Sequence, residues 1–144
     1  IPPLKYDVVQ KLKQVNPEIN IEVNGGFKNI DQCIKALNDF DGVMIGRSAY
    51  KHPLIWSEID QKIYKENKKT KNASEIIFSL IPYIDNHIRN GGETWDICKH
   101  LINLVENIPN AKIWRNKISA KSIKKELTID YLIKMSSELQ ETGY

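Results

Sequence analysis

The chain has 144 residues, of which 41% are hydrophobic and 27% charged. That is enough apolar material for one core or two small ones, and too much for a disordered segment. It is too short for a complete (β/α)8 barrel, which needs roughly 250 residues. A formal net charge of +3 excludes a uniformly basic nucleic-acid coat. Cys33 and Cys98 cannot build a disulfide scaffold, and no apolar run approaches the length of a transmembrane helix. The opening Ile1-Pro2-Pro3-Leu4 lacks the charged and apolar regions of a signal peptide. Without a starting Met, it predicts a fragment or a processed product.

Pro3 to Asn16 places Leu4, Val8, Leu12 and Val15 at helical spacing, and Pro17 marks the stop. Ile19-Asn20-Ile21-Glu22-Val23 alternates and is β-branched, which predicts a strand. It runs into Asn24-Gly25-Gly26, a loop able to take positive φ. Asn29 is placed as a helix cap before Ile30, Ile34 and Leu37. Val43-Met44-Ile45 is short and apolar throughout, as a strand covered on both faces should be, and ends at Gly46-Arg47. Residues 19–47 therefore read as one βαβ unit with parallel strands. Both strands then end on one edge, with Asn24-Gly25-Gly26 beside Gly46-Arg47.

Beyond Tyr50 the pattern predicts a helix from Pro53 to about Tyr64, and residues 65–72, without an apolar side chain, read as a linker. Four more helices are expected: Ser74 to Asn90, Thr94 to Asn107, Pro109 to Ser119, and Thr128 to Glu141. No strand pattern follows Ile45. The chain thus reads as α/β plus all-α: the end of an α/β domain, residues 1–64, then a small helical bundle, residues 73–144.

Charge is uneven. Residues 99–125 hold Lys99, Lys112, Arg115, Lys117, Lys121, Lys124 and Lys125 against Glu106 alone. Such a run is either a solvated helix surface or an electrostatic footprint for a polyanion.

Glycines let backbone N–H groups approach a ligand, and an adjacent cation favours an anion. Asn-Gly-Gly and Gly-Arg at neighbouring strand ends therefore suit a phosphate. Two ordinary tight turns would give the same residues.

The runs IEVNGGFKNIDQC and DGVMIGRSAYKHP resemble the C-terminal end of the FMN barrel in bacterial tRNA-dihydrouridine synthases. IPPLKYD is similar to the start of the preceding helix in the A-type subfamily, and TWDICKHLINLVENIPNAKIWRNKIS to its tRNA-binding helical domain. The resemblance covers most of residues 1–120, with several motifs in order; the last helix is similar only in general character. It implies the C-terminal end of a (β/α)8 TIM barrel, followed by the helical bundle. It also implies a cytoplasmic, monomeric flavoenzyme that reduces uridine 20 or 20a in the tRNA D-loop to 5,6-dihydrouridine. NADPH recharges the FMN, hydride passes from flavin N5 to uracil C6, and a cysteine donates a proton at C5.

By the same resemblance, Asn24, Gly25, Gly26, Gly46 and Arg47 contact the FMN phosphate. Lys112 and Arg115 contact tRNA, three residues apart on one helix face. The family more usually carries arginines there, so Lys112 offers a point charge instead of a fork. The resemblance puts the proton-donating cysteine upstream of Ile1. No catalytic residue is therefore assigned here, and the fragment is expected to be inactive.

Cys33 and Cys98 read as core thiols. His52, His87 and His100 lack metal-ligand spacing, so no metal is expected; His52 could line the mouth of the site. Trp56, Trp95 and Trp114 fall at apolar helix positions and read as packing residues before base-stacking platforms. Lys5 and Tyr6 could face RNA or simply start a helix. Ser48 lacks a companion His and Asp for nucleophilic work. The alternatives are another phosphate-binding FMN or sugar-phosphate TIM-barrel enzyme, and a non-catalytic helical RNA-binding module.

Overall fold

A computed structural model of the chain describes residues 3–123 and 125–144. Ile1 and Pro2 of the opening motif and Lys124 of the basic run lie outside the described residues. The chain folds as two compact units, Ile1–Lys68 and Lys69–Tyr144.

The first unit contains a helix α1 (Tyr6–Val15), strand β1 (Glu22–Asn24), helix α2 (Ile30–Ala36) and strand β2 (Gly42–Met44). The strands pair in parallel, Glu22 with Gly42, Val23 with Val43 and Asn24 with Met44. Asn29 caps α2, its side chain accepting from the Gln32 amide at 2.9 Å. α2 buries Ile30 and Cys33, while Ile34 of the expected stripe is 37% exposed. Ile30, Cys33 and Trp56 form one buried cluster of this unit, with Phe27, Val43, Ile45, Ala49, Ile59 and Ile63 packed against it, and Val23 and Phe40 are buried as well.

Several expectations are corrected. β1 begins at Glu22, because Asp41 binds Ile21 ahead of it: Oδ2 accepts from the Ile21 amide at 2.8 Å. β2 is not covered on both faces, since Met44 is 56% exposed. The helix expected over Pro3 to Asn16 is present as α1, although Leu4, Val8, Leu12 and Val15 are all exposed and α1 buries no residue. The helix expected from Pro53 to Tyr64 is broken. A short helix α3 (Arg47–Lys51) comes first, then a 3-10 turn (Pro53–Trp56) and α4 (Ile59–Lys62). Ser57 Oγ donates to the Leu54 carbonyl at 2.7 Å, a local bond that competes with continuation of the helix.

The second unit is helical: α5 (Ala73–Arg89), α6 (Thr94–Cys98), a 3-10 turn (Leu101–Asn103), α7 (Ala111–Ile123) and α8 (Ile129–Glu141). Asn72 and Glu75 form a capping box at the start of α5, and Thr128 caps α8. The helix expected over 94–107 is two short pieces. The turn beyond them carries Asn107 at φ 57° and Asn110 at φ 65°. Its core is Ile77 and Ile84 of α5, Cys98, Val105, Ile118, Leu132 and Met135, all at most 2% exposed. Burying an aliphatic side chain of this size contributes roughly 1.5–3 kcal/mol. No strand follows Met44 among the described residues.

Candidate functional site

Parallel pairing with Asn24 opposite Met44 means both strands leave the sheet at the same edge. Gly25 and Gly26 follow β1 there with φ of 132° and 72°. Side chains other than glycine rarely adopt such values. A Cβ on Gly25 would also lie 2.9 Å from Leu4 Cδ2, and one on Gly26 3.1 Å from Leu4 Cδ1. After β2, Gly46 precedes α3 and Arg47 is its first residue. A Cβ on Gly46 would meet nothing within 4 Å, so the space above this glycine is open.

The two loops are tied together. Ser48 Oγ donates to the Lys28 carbonyl at 3.3 Å. Phe27 of the first loop and Ala49 of α3 pack on the same core. Tyr6 Oη donates to the Gly25 carbonyl, and its ring lies 5.9 Å from that of Phe27. Tyr6 is therefore engaged by the glycine loop, a role its position in the sequence does not reveal.

Arg47 is exposed and forms no ion pair with a described residue. The carboxylates of the sheet, Glu22 and Asp41, sit at the other end of the strands, where Lys13 Nζ approaches Asp41 at 2.8 Å. Lys13 also donates to the carbonyls of Pro17 and Ile19, each at 2.8 Å. The Lys13 hydrogen bond, then the Ile21 amide, hold the Asp41 carboxyl below its ordinary pKa. Glu58 pairs with Lys62 at 2.7 Å and raises its ammonium pKa, with a smaller contribution from Asp31 at the start of α2.

Lys112 and Arg115 lie in the second unit, on the first turns of α7. Lys112 is exposed and Arg115 half-buried. Three other cations of this run are occupied: Lys117 pairs with Glu138 at 3.3 Å, Lys121 with Glu126 at 2.6 Å, and Lys125 approaches Glu93 at 3.9 Å. Lys121 also sits 5.4 Å from the Tyr131 ring centre. Lys112 and Arg115 form no ion pair with a described residue.

Cys33 and Cys98 are 1% and 0% exposed. Burial pushes the Cys33 thiol up, and the Cys98 thiol up to about 12. Both features oppose thiolate formation. His87 Nε2 lies 3.0 Å from Asp96 Oδ2 and braces α5 against α6. Trp56 and Trp114 are buried, which suits packing and not stacking on an incoming base; Trp95 is half-buried.

Residues 1–140 match the family described as Dihydrouridine synthase (Dus). The chain belongs to this family. Among curated relatives, the tRNA-dihydrouridine(20/20a) synthase of Shewanella oneidensis is 34% identical over 142 residues, 99% of this chain and 42% of that protein. The synthase of the same name from Pseudomonas putida is 38% identical over 120 residues, 83% of this chain and 36% of that protein. The one from Vibrio parahaemolyticus is 36% identical over 143 residues, 96% of this chain and 44% of that protein. The chain thus spans less than half the length of these relatives.

Proposed function

We propose that this chain is the C-terminal portion of an FMN-dependent tRNA-dihydrouridine(20/20a) synthase, with residues 1–64 the end of its TIM barrel. Residues 65–72 are the linker and 73–144 the tRNA-binding bundle. The observation that carries the cofactor site is the shared edge of Asn24-Gly25-Gly26 and Gly46-Arg47, bridged by Ser48 and Lys28. Open space at Gly46, positive φ at both loop glycines and an exposed Arg47 without an ion pair among the described residues fit the terminal phosphate of FMN.

In this reading, Gly25, Gly26 and Gly46 offer backbone N–H groups at close approach, and Arg47 supplies a planar fork for two phosphate oxygens. Asn24 orients the loop as the strand ends. Bound flavin, recharged by NADPH, supplies the reducing power for the uracil ring. Lys112 and Arg115 hold the tRNA backbone, fixing the position of the nucleotide to be extruded. No residue of this chain donates the proton at C5, because both thiols are buried. The working protein is a cytoplasmic monomer and requires no metal.

The test is binding of FMN and of riboflavin, which lacks the phosphate, followed by flavin fluorescence. Arg47→Ala is expected to weaken FMN by at least tenfold and to leave riboflavin unchanged. Equal affinity of the unaltered chain for FMN and riboflavin would remove the phosphate site. Salt-dependent tRNA binding without flavin binding would favour a helical RNA-binding module instead.

A further inference from the structure

We infer that Tyr6 is a positioning residue that aims the Gly26 amide at the bound phosphate. The inference rests on the phosphate-site reading above and adds to it a residue from outside both loops. Two consecutive glycines at positive φ form the least restrained backbone available. Preorganised donors bind an anion well only if they are held still. The hydroxyl of Tyr6 donates to the Gly25 carbonyl. That carbonyl and the Gly26 N–H belong to one planar, trans peptide group and point in opposite directions. Fixing the oxygen toward Tyr6 therefore fixes the N–H away from it.

Tyr6 is itself held. Its ring meets Phe27 at 5.9 Å, tilted by 50°, and Phe27 packs on the core of Ile30, Cys33 and Trp56. Leu4 packs on the same loop, with its methyls 2.9 and 3.1 Å from where a Cβ on Gly25 would lie. A line of contact thus runs from the core through Phe27 and Tyr6 to a single peptide plane. The hydroxyl is the one polar atom of the Tyr6 side chain, so it can be removed with the ring contact left in place.

Tyr6→Phe does this. Two readouts are compared with the unaltered chain: the order parameter of the Gly26 amide without ligand, and the affinities for FMN and riboflavin. The variant is expected to lose order at Gly26 and to bind FMN about 3- to 10-fold more weakly, the worth of one hydrogen bond. Riboflavin affinity is expected to stay the same. Unchanged order at Gly26, or equal weakening of both flavins, overturns the inference, since a merely structural role would move both ligands together. If the unaltered chain does not discriminate FMN from riboflavin, the phosphate-site reading fails, and aiming at a phosphate fails with it. The Gly26 order then shows separately whether Tyr6 fixes that peptide. Should Tyr6→Phe not fold, Phe27→Leu is the second arm. It loosens the ring and keeps the hydroxyl, with a smaller loss of FMN affinity expected and no loss for riboflavin. No loss for either ligand overturns the inference.

Discussion

Ser48, the second residue of α3, donates its hydroxyl to the carbonyl of Lys28, twenty positions earlier in the chain, at 3.3 Å. It closes the gap between the segment after β1 and the segment after β2. Ser48→Ala leaves the Lys28 carbonyl without this donor. The expected loss is about 0.5–1 kcal/mol, at the low end for a hydrogen bond because this one is long. Urea unfolding checks the loss, and amide exchange at Phe27 and Lys28 is expected to rise.

Gly25→Ala meets two obstacles at once. The backbone at φ 132° disfavours an L side chain, and Leu4 stands 2.9 Å from the new Cβ. A cost of about 1–3 kcal/mol follows, read as a lower urea midpoint. Gly46→Ala meets open space, so its stability is expected to fall less than that of Gly25→Ala. Phosphate binding should suffer in both. That split separates a glycine needed for folding from one needed for access.

Asp41 gives a pH dependence with a definite sign. Its folded pKa is lowered, first by the Lys13 hydrogen bond and then by the Ile21 amide. A lowered carboxyl stabilises above its unfolded value, near 3.9, and that stability is lost as pH falls through the folded value. Stability measured from pH 7 downward is expected to fall more steeply below about pH 4 in the unaltered chain than in Asp41→Asn. Identical slopes would show that the pair contributes nothing.

Both thiols should be silent in the folded chain. With Cys98 raised to about 12 and both cysteines buried, an aromatic disulfide reagent at neutral pH is expected to titrate neither quickly. Both should react at once in denaturant. A rapidly reacting native thiol would reopen the question of a catalytic cysteine in this chain.

Lys112→Ala and Arg115→Ala are each expected to weaken tRNA binding and to lower the salt slope by about 1. Lys117→Ala, whose ammonium already faces Glu138, should change the slope far less. An unchanged slope in both of the first two variants would place the RNA contact elsewhere.

Two helices opened by a side-chain cap were legible in the sequence, because Asn29 and Thr128 act locally on amides three residues away, whereas the cap Asn72 was hidden at the end of a polar linker. The parallel strand pair was legible for a similar reason: strand, helix and strand at that spacing leave one connection. Breaks at Ser57 and after Cys98 were not. Apolar spacing continues across an interrupted helix as it does along an intact one. The same limit applies to Leu4, Val8, Leu12 and Val15: spacing marks which side of a helix is apolar, not whether anything lies on it. At the candidate site the two glycine loops could be read from the sequence. Tyr6 and Ser48 could not, since each acts through a contact about twenty residues away.

Lys13 has three ammonium protons and three acceptors within 3.0 Å: the carbonyls of Pro17 and Ile19 and the carboxylate of Asp41. At the rim where β1 and β2 begin, the Lys13 ammonium is therefore fully engaged. The opposite rim keeps a guanidinium and glycine amides without such mutual closure. One rim of this small sheet is thus locked by charge, while the other is held by a hydroxyl bond and ring packing that leave its cation facing solvent.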